Sequence, residues 1–286
     1  MRLTPYFLPL LLLGLVFTGC EKDNPEPEGN LIFKVRLDPN QERLDAFGQP
    51  STVPADRAAQ TPSFREFSAH VIELAPNAFT VPGRGVMVYQ GEETSAGGDA
   101  AVDFDRARVV APDETIFTIP IADVPTGTYP YVRVSVTYQN YDVQYQALGQ
   151  TFTGTVASFV GFNTYLTTHQ VNSETVTVND NRLQGYWAFE SQSQVVSGQA
   201  PAGATTVPNP IAATSPIPLG SCLVTGEFEE ALEITHTESG DVVVVLSFSV
   251  NDSFEWIDQD GNGTWDPLDG DVVVDMGLRG LRAFVE

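Results

Sequence analysis

Apolar and polar residues alternate along much of the chain with a period of two, which is typical of β-strands that bury one face. The clearest runs are residues 31–36, 132–139 and 175–179, and each is predicted to place its apolar side chains in a core and its polar ones in water. The alternation changes phase near Asn140, which predicts a bulge or a turn there. Residues 241–250 contain four consecutive valines near their start, so they are predicted to form a central strand buried on both faces at its start.

Turn-forming residues separate these runs. Gly, Pro, Asn and Asp cluster at residues 38–40, 82–83, 97–99, 125–127 and 238–241. Helical periodicity is almost absent, and its best candidate, residues 63–74, is ambiguous because it contains the β-branched pair Val71 and Ile72. Many short strands with such punctuation predict an all-β fold, an antiparallel sandwich or barrel. We favour an antiparallel β-sandwich, either immunoglobulin-like or jelly-roll-like.

A Pro-rich stretch interrupts the strand pattern. Residues 199–220 carry five prolines among Ala, Thr and Ser, which predicts either an extended crossover or a linker. The stretch divides the body into residues 31–198 and 221–286. Because the second part is small for an independent core, we expect one β-sandwich domain over residues 31–286 with a long Pro-rich connection, rather than two domains.

The N-terminus has the composition of an export signal. Arg2 precedes an apolar run over residues 6–17, and Gly19 stands directly before Cys20. The run is 12 residues long, too short to cross a bilayer as a helix. The pattern resembles a bacterial lipoprotein signal peptide with its lipobox, although Phe17 replaces the usual aliphatic residue. The resemblance implies a signal peptide over residues 1–19 and acylation of Cys20, including palmitate; an ordinary secretory signal is the alternative.

Residues 20–30 are polar, acidic and Pro-containing, so they are predicted to form a flexible tether between the lipid and the folded body. Their Cys-Glu-Lys-Asp start is similar to the acidic signals of Bacteroidota-type surface lipoproteins. That resemblance implies a lipid-anchored protein of the outer membrane, on its periplasmic face or at the cell surface. The membrane would then be a partner through the lipid alone.

Charge narrows the range of partners. The chain has 14 Lys and Arg against 37 Asp and Glu, a formal net charge of −23. Nucleic acids and anionic lipids need clustered basic residues, so this balance excludes both as expected partners and favours cations. Only Cys20 and Cys222 are present, so an acylated Cys20 would leave no disulfide scaffold. Cys222 is then expected to be a buried inert thiol, or otherwise a reactive one.

Residues 258–269 carry the strongest internal motif, in which oxygen-bearing side chains recur at alternate positions and Gly263 stands where the chain must turn sharply. The spacing resembles the calcium loop of EF-hands and dockerins. That resemblance implies one calcium ion, held by Asp258, Asp260, Asn262, Thr264 through its carbonyl, Asp266 and Asp269.

The motif also departs from an EF-hand. Asp269 is shorter than the usual Glu, and Pro267 stands where the exit helix would begin. The flanking residues 253–257 and 271–276 are predicted to be strands, so we expect a calcium loop set in a β-hairpin. Its role would be structural and its affinity weak, with a dissociation constant of about 10⁻⁴–10⁻³ M. An acidic hairpin turn without metal is the alternative.

Motifs for catalysis are not found in the sequence. His70, His169 and His236 are not spaced two or four residues from another His or Cys, and no nucleophile elbow or phosphate-binding loop occurs. We therefore predict a protein that is not an enzyme, with a hydrolase lacking a recognised motif as a minor hypothesis. Tyr186 and Trp187 are candidates for a glycan- or peptide-binding surface, although aromatic residues in β-proteins more often pack in the core.

Residues 119–129 precede the strand pattern of 132–139 and resemble a segment common in exported β-sandwich domains, including the periplasmic copper-binding family associated with methanobactin. That family implies a β-sandwich that binds copper through His and a modified Trp, and no ligand is assigned here on that basis. Our main hypothesis is a non-catalytic binding, adhesion or structural module of the cell envelope, stabilised by one calcium ion, with a glycan or protein ligand. The alternative is a copper-handling module that uses His70 or His169.

Overall fold

The computed structural model describes residues 29–45, 49–200 and 221–286. These ranges form an all-β structure with two short 3₁₀ helices, Phe104–Arg106 and Ile121–Asp123. The described strands are β1 (Asn30–Asp38), β2 (Ala58–Gln60), β3 (Ser63–Ala75), β4 (Val86–Gln90), β5 (Glu93–Thr94), β6 (Ala101–Asp103), β7 (Val109–Val110), β8 (Thr115–Pro120), β9 (Gly127–Ala147), β10 (Gln150–Phe159), β11 (Asn163–Gln170), β12 (Thr175–Leu183), β13 (Tyr186–Ser191), β14 (Gln194–Gln199), β15 (Cys222–Ile234), β16 (Val242–Ser249), β17 (Phe254–Ile257), β18 (Val272–Met276) and β19 (Leu281–Val285).

The main sheet is built around the 21-residue strand β9. One edge of β9 pairs first with β15 and then with β10, while its other edge pairs with β3, in all three cases antiparallel. The sheet continues from β15 through β19, β16 and β1 to β8, and from β10 through β13 to β14. Most pairings are antiparallel, and the β1–β16 and β15–β19 pairs are parallel.

The main core lies between the two halves of this sheet, which is the arrangement of a β-sandwich. The alternate residues Leu31, Phe33 and Val35 of β1 are fully buried there, as their period of two predicts. Rings from the two halves meet across the core: Phe67 of β3 lies 5.1 Å from Phe248 of β16, measured between ring centroids. The predicted all-β sandwich class is therefore confirmed.

The helix candidate is wrong. Residues 63–74 form strand β3, because the segment pairs with β9 along its length and is buried on both faces from Phe67 onward. Of the bulge or turn predicted near Asn140, the structure has a bulge, in which the partner strand β3 carries one extra residue, Arg65, opposite Asn140 and Tyr141. The phase of the apolar pattern changes because Tyr138 packs in one hydrophobic cluster and Tyr141 in another.

The second face of β9 is also covered, which the alternation did not indicate. Arg133 and Gln139 point away from the main core and are nevertheless buried. Arg133 forms an ion pair of 3.5 Å with Glu73 of β3, which is also fully buried. Strand β16 is central, between β1 and β19, but its burial is complete only from Val244 onward rather than at its start.

Two smaller sheets cover the main one and position the features discussed below. The first has the order β12-β11-β6-β5, and it encloses a cluster with Tyr138, Phe159 and Tyr186. The second has the order β18-β17-β2, and it encloses a cluster with Tyr141 and Trp256. Each smaller sheet thus buries apolar residues that belong to the β9–β10–β13 part of the main sheet.

Strands from both sides of residues 201–220 share the main sheet, since β15 pairs with β9 and β16 pairs with β1. Most of the Pro-rich connection, the predicted signal peptide, Cys20 and most of the predicted tether lie outside the described residues. In the described ranges, no helix combines the length and apolar character needed to cross a membrane.

Candidate functional site

The predicted calcium loop connects β17 to β18, which pair antiparallel and form the predicted β-hairpin. Trp265 fixes the loop to the rest of the molecule. Its ring packs 4.9 Å from Phe254 and 5.6 Å from Phe189, between centroids. Its carbonyl oxygen accepts a hydrogen bond of 2.8 Å from the backbone N–H of Gln146. The loop is therefore attached to β13 and β17 through ring packing and to β9 through the backbone.

Asp258 organises the first half of the loop. Its carboxylate accepts hydrogen bonds from the backbone N–H groups of Gly261 (2.9 Å), Asn262 (3.2 Å) and Gly263 (2.8 Å). These bonds, the one from Gly263 above all, lower the pKa of Asp258. Gly261 and Gly263 have φ angles of +73° and +76°, a region that glycine adopts without strain.

Asn262 joins the acidic side chains of Asp260, which precedes it, and Asp266, which follows it. Its Nδ2 donates to Asp260 Oδ2 at 2.9 Å and to Asp266 Oδ2 at 2.6 Å. The hydroxyl of Thr264 also donates to Asp266 Oδ2, at 3.0 Å. Two carboxylates from different parts of the loop thus converge on a single nitrogen atom, and this is the point of the loop at which a cation would be bound.

The end of the loop differs from the expectation. Asp269 is exposed, and among the described residues its carboxylate makes no hydrogen bond; its backbone N–H donates to the carbonyl oxygen of Asp266 at 3.0 Å. Asp271 lies inside the loop instead, where its carboxylate accepts hydrogen bonds of 2.9 Å from the backbone N–H groups of Gln259 and Asp266. Sequence spacing had placed Asp271 in the exit strand. Across the described ranges, no group of three or more His, Cys, Asp or Glu side chains is arranged to hold a metal ion.

The histidines named for copper are both buried. His70 Nε2 faces Glu93 Oε1 at 3.0 Å, and burial lowers the pKa of His70, although Glu93 opposes the shift. Burial also lowers the pKa of His169 to about 4, and its Nε2 lies 3.4 Å from the hydroxyl of Tyr186. His236 bonds to the carbonyl oxygen of Val124 at 2.7 Å.

Cys222 begins strand β15 and is a free cysteine. Burial of its thiol, with a smaller contribution from Asp275, raises the pKa of Cys222 to about 12. A thiol with such a pKa stays protonated at neutral pH and is a poor nucleophile. This environment is consistent with the unreactive thiol expected for Cys222.

Tyr186 and Trp187 point to opposite faces of β13 and therefore cannot form one binding surface. Tyr186 is buried in the cluster beneath β11 and β12. Trp187 is half-buried, and its ring covers Gly198 on the neighbouring strand, where a β-carbon would lie 2.7 Å from the indole. Of the two, Trp187 alone keeps an exposed aromatic surface.

A buried ion network beside the hairpin is a feature that the sequence did not indicate. Glu255 and Asp275 face each other on β17 and β18, and Arg279 Nη2 contacts both carboxylates. Arg43 and Arg57 also pair with Glu255, at 2.6 and 2.9 Å. Burial opposes ionisation of Glu255, but the bond from Arg43 and the charge of Arg279 outweigh it and lower the pKa of Glu255.

Comparisons of the chain with models of known protein families, with curated proteins and with solved structures found no match.

Proposed function

We propose that this protein is an exported, lipid-anchored, non-catalytic binding module of the cell envelope, in which one calcium ion stabilises the loop between β17 and β18. The observation that supports the calcium ion is the convergence of Asp260 Oδ2 and Asp266 Oδ2 on the side chain of Asn262. The lipid anchor is supported by the residues before and at Cys20. The two parts of the proposal are tested separately.

The donor set of the loop fits a calcium ion. Calcium takes six to eight oxygen ligands at about 2.3–2.6 Å. Asp260 and Asp266 already lie around one point, and rotation of the Asn262 amide would direct its oxygen, rather than its nitrogen, to that point. The carbonyl of Thr264 and the carboxylate of Asp258 would bring the ligand residues to five, and water would supply the remaining oxygens. Asp271 occupies the end of the loop that was predicted for Asp269, so it would support the ligands through the backbone of Asp266.

The calcium proposal predicts a stability change. With a dissociation constant of about 10⁻³ M, about 10 mM calcium is expected to stabilise the full chain by about 1.4 kcal/mol, which raises the melting temperature by several degrees. Calorimetric titration in chelator-treated buffer measures the binding directly. Asp260→Asn/Asp266→Asn should abolish both effects, and Asp99→Asn, in an exposed turn outside the loop, should retain them. No heat and no thermal shift in the unmodified protein would reduce the loop to an acidic turn.

The anchor proposal predicts covalent modification. When the full chain is expressed in a bacterium that processes lipoproteins, labelled palmitate should enter the protein, because Cys20 follows an apolar run and Gly19. Cys20→Ser should remove the label, whereas Cys222→Ser should keep it and so provides the matched control. A chain that is cleaved near residue 20 but carries no label would support an ordinary secretory signal instead.

A further inference from the structure

A polar cavity of about 490 Å³ lies between the main sheet and the turn that joins β11 to β12. Its size is within the range of about 300–1,000 Å³ found for small-molecule sites, but most such sites are lined by apolar groups. This cavity is lined by charged groups, hydroxyls and amides, among them Arg65, Asp142, Thr153, Asn172, Glu190 and Gln192. A smaller cavity of about 140 Å³ adjoins it, and the two share Arg65 and Asn172.

The floor of the cavity is a row of polar residues across three strands. Asp142 on β9 pairs with Thr155 on β10, which pairs with Glu190 on β13. Thr155 is buried, and its hydroxyl donates to Asp142 Oδ1 at 2.6 Å. Two residues further along β10 and β13, Ala157 and Ala188 belong to an apolar cluster. The same face of the sheet therefore changes from apolar to polar where the cover of β11 and β12 ends.

Glu190 holds the β11–β12 turn that forms one wall of the cavity, and its hydrogen bonds to that turn occupy its carboxylate oxygens. Its carboxylate accepts hydrogen bonds from the backbone N–H groups of Asn172 (2.8 Å), Ser173 (3.0 Å) and Glu174 (3.1 Å), and from the Ser173 hydroxyl (2.5 Å). Burial opposes ionisation of Glu190, but these four bonds outweigh it and lower its pKa. The turn between β11 and β12 is thus held in place, and Glu190 has no acceptor left for a ligand.

Arg65 reaches the cavity because it is the extra residue of the bulge in β3, and bulges commonly redirect a side chain at functional sites. Its Nη1 contacts Asn172 Oδ1 at 2.5 Å and Asp142 Oδ1 at 3.5 Å. The Arg65 side chain is 40% exposed and that of Asp142 is 31% exposed. Within the described part of the chain, Arg65 Nη2 and Asp142 Oδ2 have no hydrogen-bond partner, so two neighbouring side chains that line the cavity keep one donor and one acceptor free.

The rim of the cavity carries backbone strain. Gln192 and Ser193 form the two-residue connection between β13 and β14, and both have positive φ, at 50° and 59°. A turn of this type favours Asn-Gly, because most other residues enter this region at a cost. Both residues line the cavity. Positive φ also occurs at non-glycine residues away from the cavity, so the strain supports a ligand role only together with the polar lining.

We propose that this cavity binds a neutral saccharide. Asp142 Oδ2 would accept a hydrogen bond from one sugar hydroxyl, and Arg65 would donate a hydrogen bond to the adjacent sugar hydroxyl. Two carboxylates and one guanidinium line the cavity, so its net charge of −1 disfavours an anion. One free carboxylate oxygen is too few for a hard cation that needs at least six ligands. Adjacent sugar hydroxyls both donate and accept hydrogen bonds, and an Arg beside a carboxylate meets both needs. This site is separate from the calcium loop and does not depend on it.

The test uses the full chain and defined probes. Neutral gluco-, manno-, galacto- and xylo-oligosaccharides, in both anomeric linkages, are compared with polygalacturonate and a sulfated glycan, first on an array and then by calorimetry in EDTA. We expect a neutral oligosaccharide to bind, and Arg65→Met and Asp142→Asn each to weaken that binding at least about tenfold. Arg106→Met provides the control, because Arg106 is an exposed arginine that also pairs with one carboxylate. Binding in EDTA separates this result from any failure of the calcium proposal.

A second variant tests the strained rim. Gln192→Asn/Ser193→Gly should raise the melting temperature, because it relieves the strained turn. It should also weaken saccharide binding, because it shortens one side chain that lines the cavity and removes another. If Arg65→Met does not fold, Thr153→Val at an exposed position provides the same binding readout. The proposal is overturned if no neutral oligosaccharide binds at up to about 10 mM, if only the charged glycans bind, or if Asp142→Asn and Thr153→Val leave the affinity unchanged.

Discussion

Arg279→Met is expected to lower the free energy of unfolding by about 3–5 kcal/mol, because it removes one partner from a buried ion network. Arg279 Nη2 donates to Glu255 Oε1 at 2.7 Å and contacts Asp275 Oδ2. The two carboxylates are cross-strand neighbours and nearly inaccessible to water. Burial raises the pKa of Asp275, and the charge of Arg279 opposes that rise. Without Arg279, Asp275 would therefore have to be protonated or remain a buried, uncompensated charge.

Urea denaturation at neutral pH, followed by tryptophan fluorescence, measures the loss. Arg282→Met is the matched control, because Arg282 pairs with Glu42 at 3.1 Å on the surface, where an ion pair is worth about 0–1 kcal/mol. The double variant Arg279→Met/Asp275→Asn should recover part of the lost stability, since it removes the carboxylate left without a partner. A loss for Arg279→Met no larger than that for Arg282→Met would contradict the structural role of the network. If the Met variant does not fold, Arg279→Lys, which retains the positive charge, is measured in its place.

The network also shows why this site was not predicted from the sequence. Arg43 lies 212 positions before Glu255, and Arg57 lies 198 positions before it. No local pattern brings these residues together. The pairing of β17 with β2 places Arg57, and a backbone hydrogen bond from Leu44 to the carbonyl oxygen of Arg279 places Arg43. Like charges opposite each other on neighbouring strands are destabilising on their own, so the arginines are needed once Glu255 and Asp275 are paired.

Where one face of a strand is covered, the alternation of the sequence predicted it well. Strand β1 buries Leu31, Phe33 and Val35 and leaves the residues between them partly exposed, as expected. Strand β12 behaves in the same way around Val176 and Val178. In both strands only one face has a sheet to pack against, so the side-chain period of two is preserved in the amino-acid pattern.

Where both faces are covered, the same reasoning failed. Strand β3 is buried on both faces from Phe67, so its mixture of Ser68, His70 and Glu73 with apolar residues has no clear period and resembled a helix. The buried polar residues of β9, such as Arg133, were expected to face water for the same reason. Burial on the second face depends on which distant segments pack there, and the local sequence does not contain that information.

The two candidate sites differ in how far the sequence could indicate them. The loop over residues 258–269 lies within one contiguous segment, so its spacing alone predicted the hairpin and most of the converging side chains. Only its end differs, where Asp271 rather than Asp269 lies within the loop. The polar cavity, by contrast, combines a bulge in β3 with a row across β9, β10 and β13. The register between the strands determines which residues form that row, and the sequence of a single segment does not determine the register.

Acid is expected to destabilise the protein through His169 by about 3 kcal/mol between pH 7 and pH 4. Burial lowers the pKa of His169 to about 4, whereas an unfolded histidine has a pKa of about 6.5. Above pH 6.5 both states hold a neutral imidazole, and the full stability is present. Between pH 6.5 and pH 4 the unfolded state binds a proton that the folded state does not bind, so stability falls as the pH falls.

His169→Gln tests this effect, because Gln is neutral throughout the range and offers polar atoms to the hydroxyl of Tyr186. The unfolding free energy is measured at intervals from pH 7 to pH 4 for both proteins. Carboxylates titrate in both proteins, so the comparison depends on the difference between their two stability curves. We expect the variant to lose less unfolding free energy than the unmodified protein below pH 6.5. Parallel curves would refute the role of His169. Burial lowers the pKa of His70 as well, but the charge of the facing Glu93 opposes that change. For His169, burial is the main cause of the lowered pKa, and the positive charge of Arg182 adds to it.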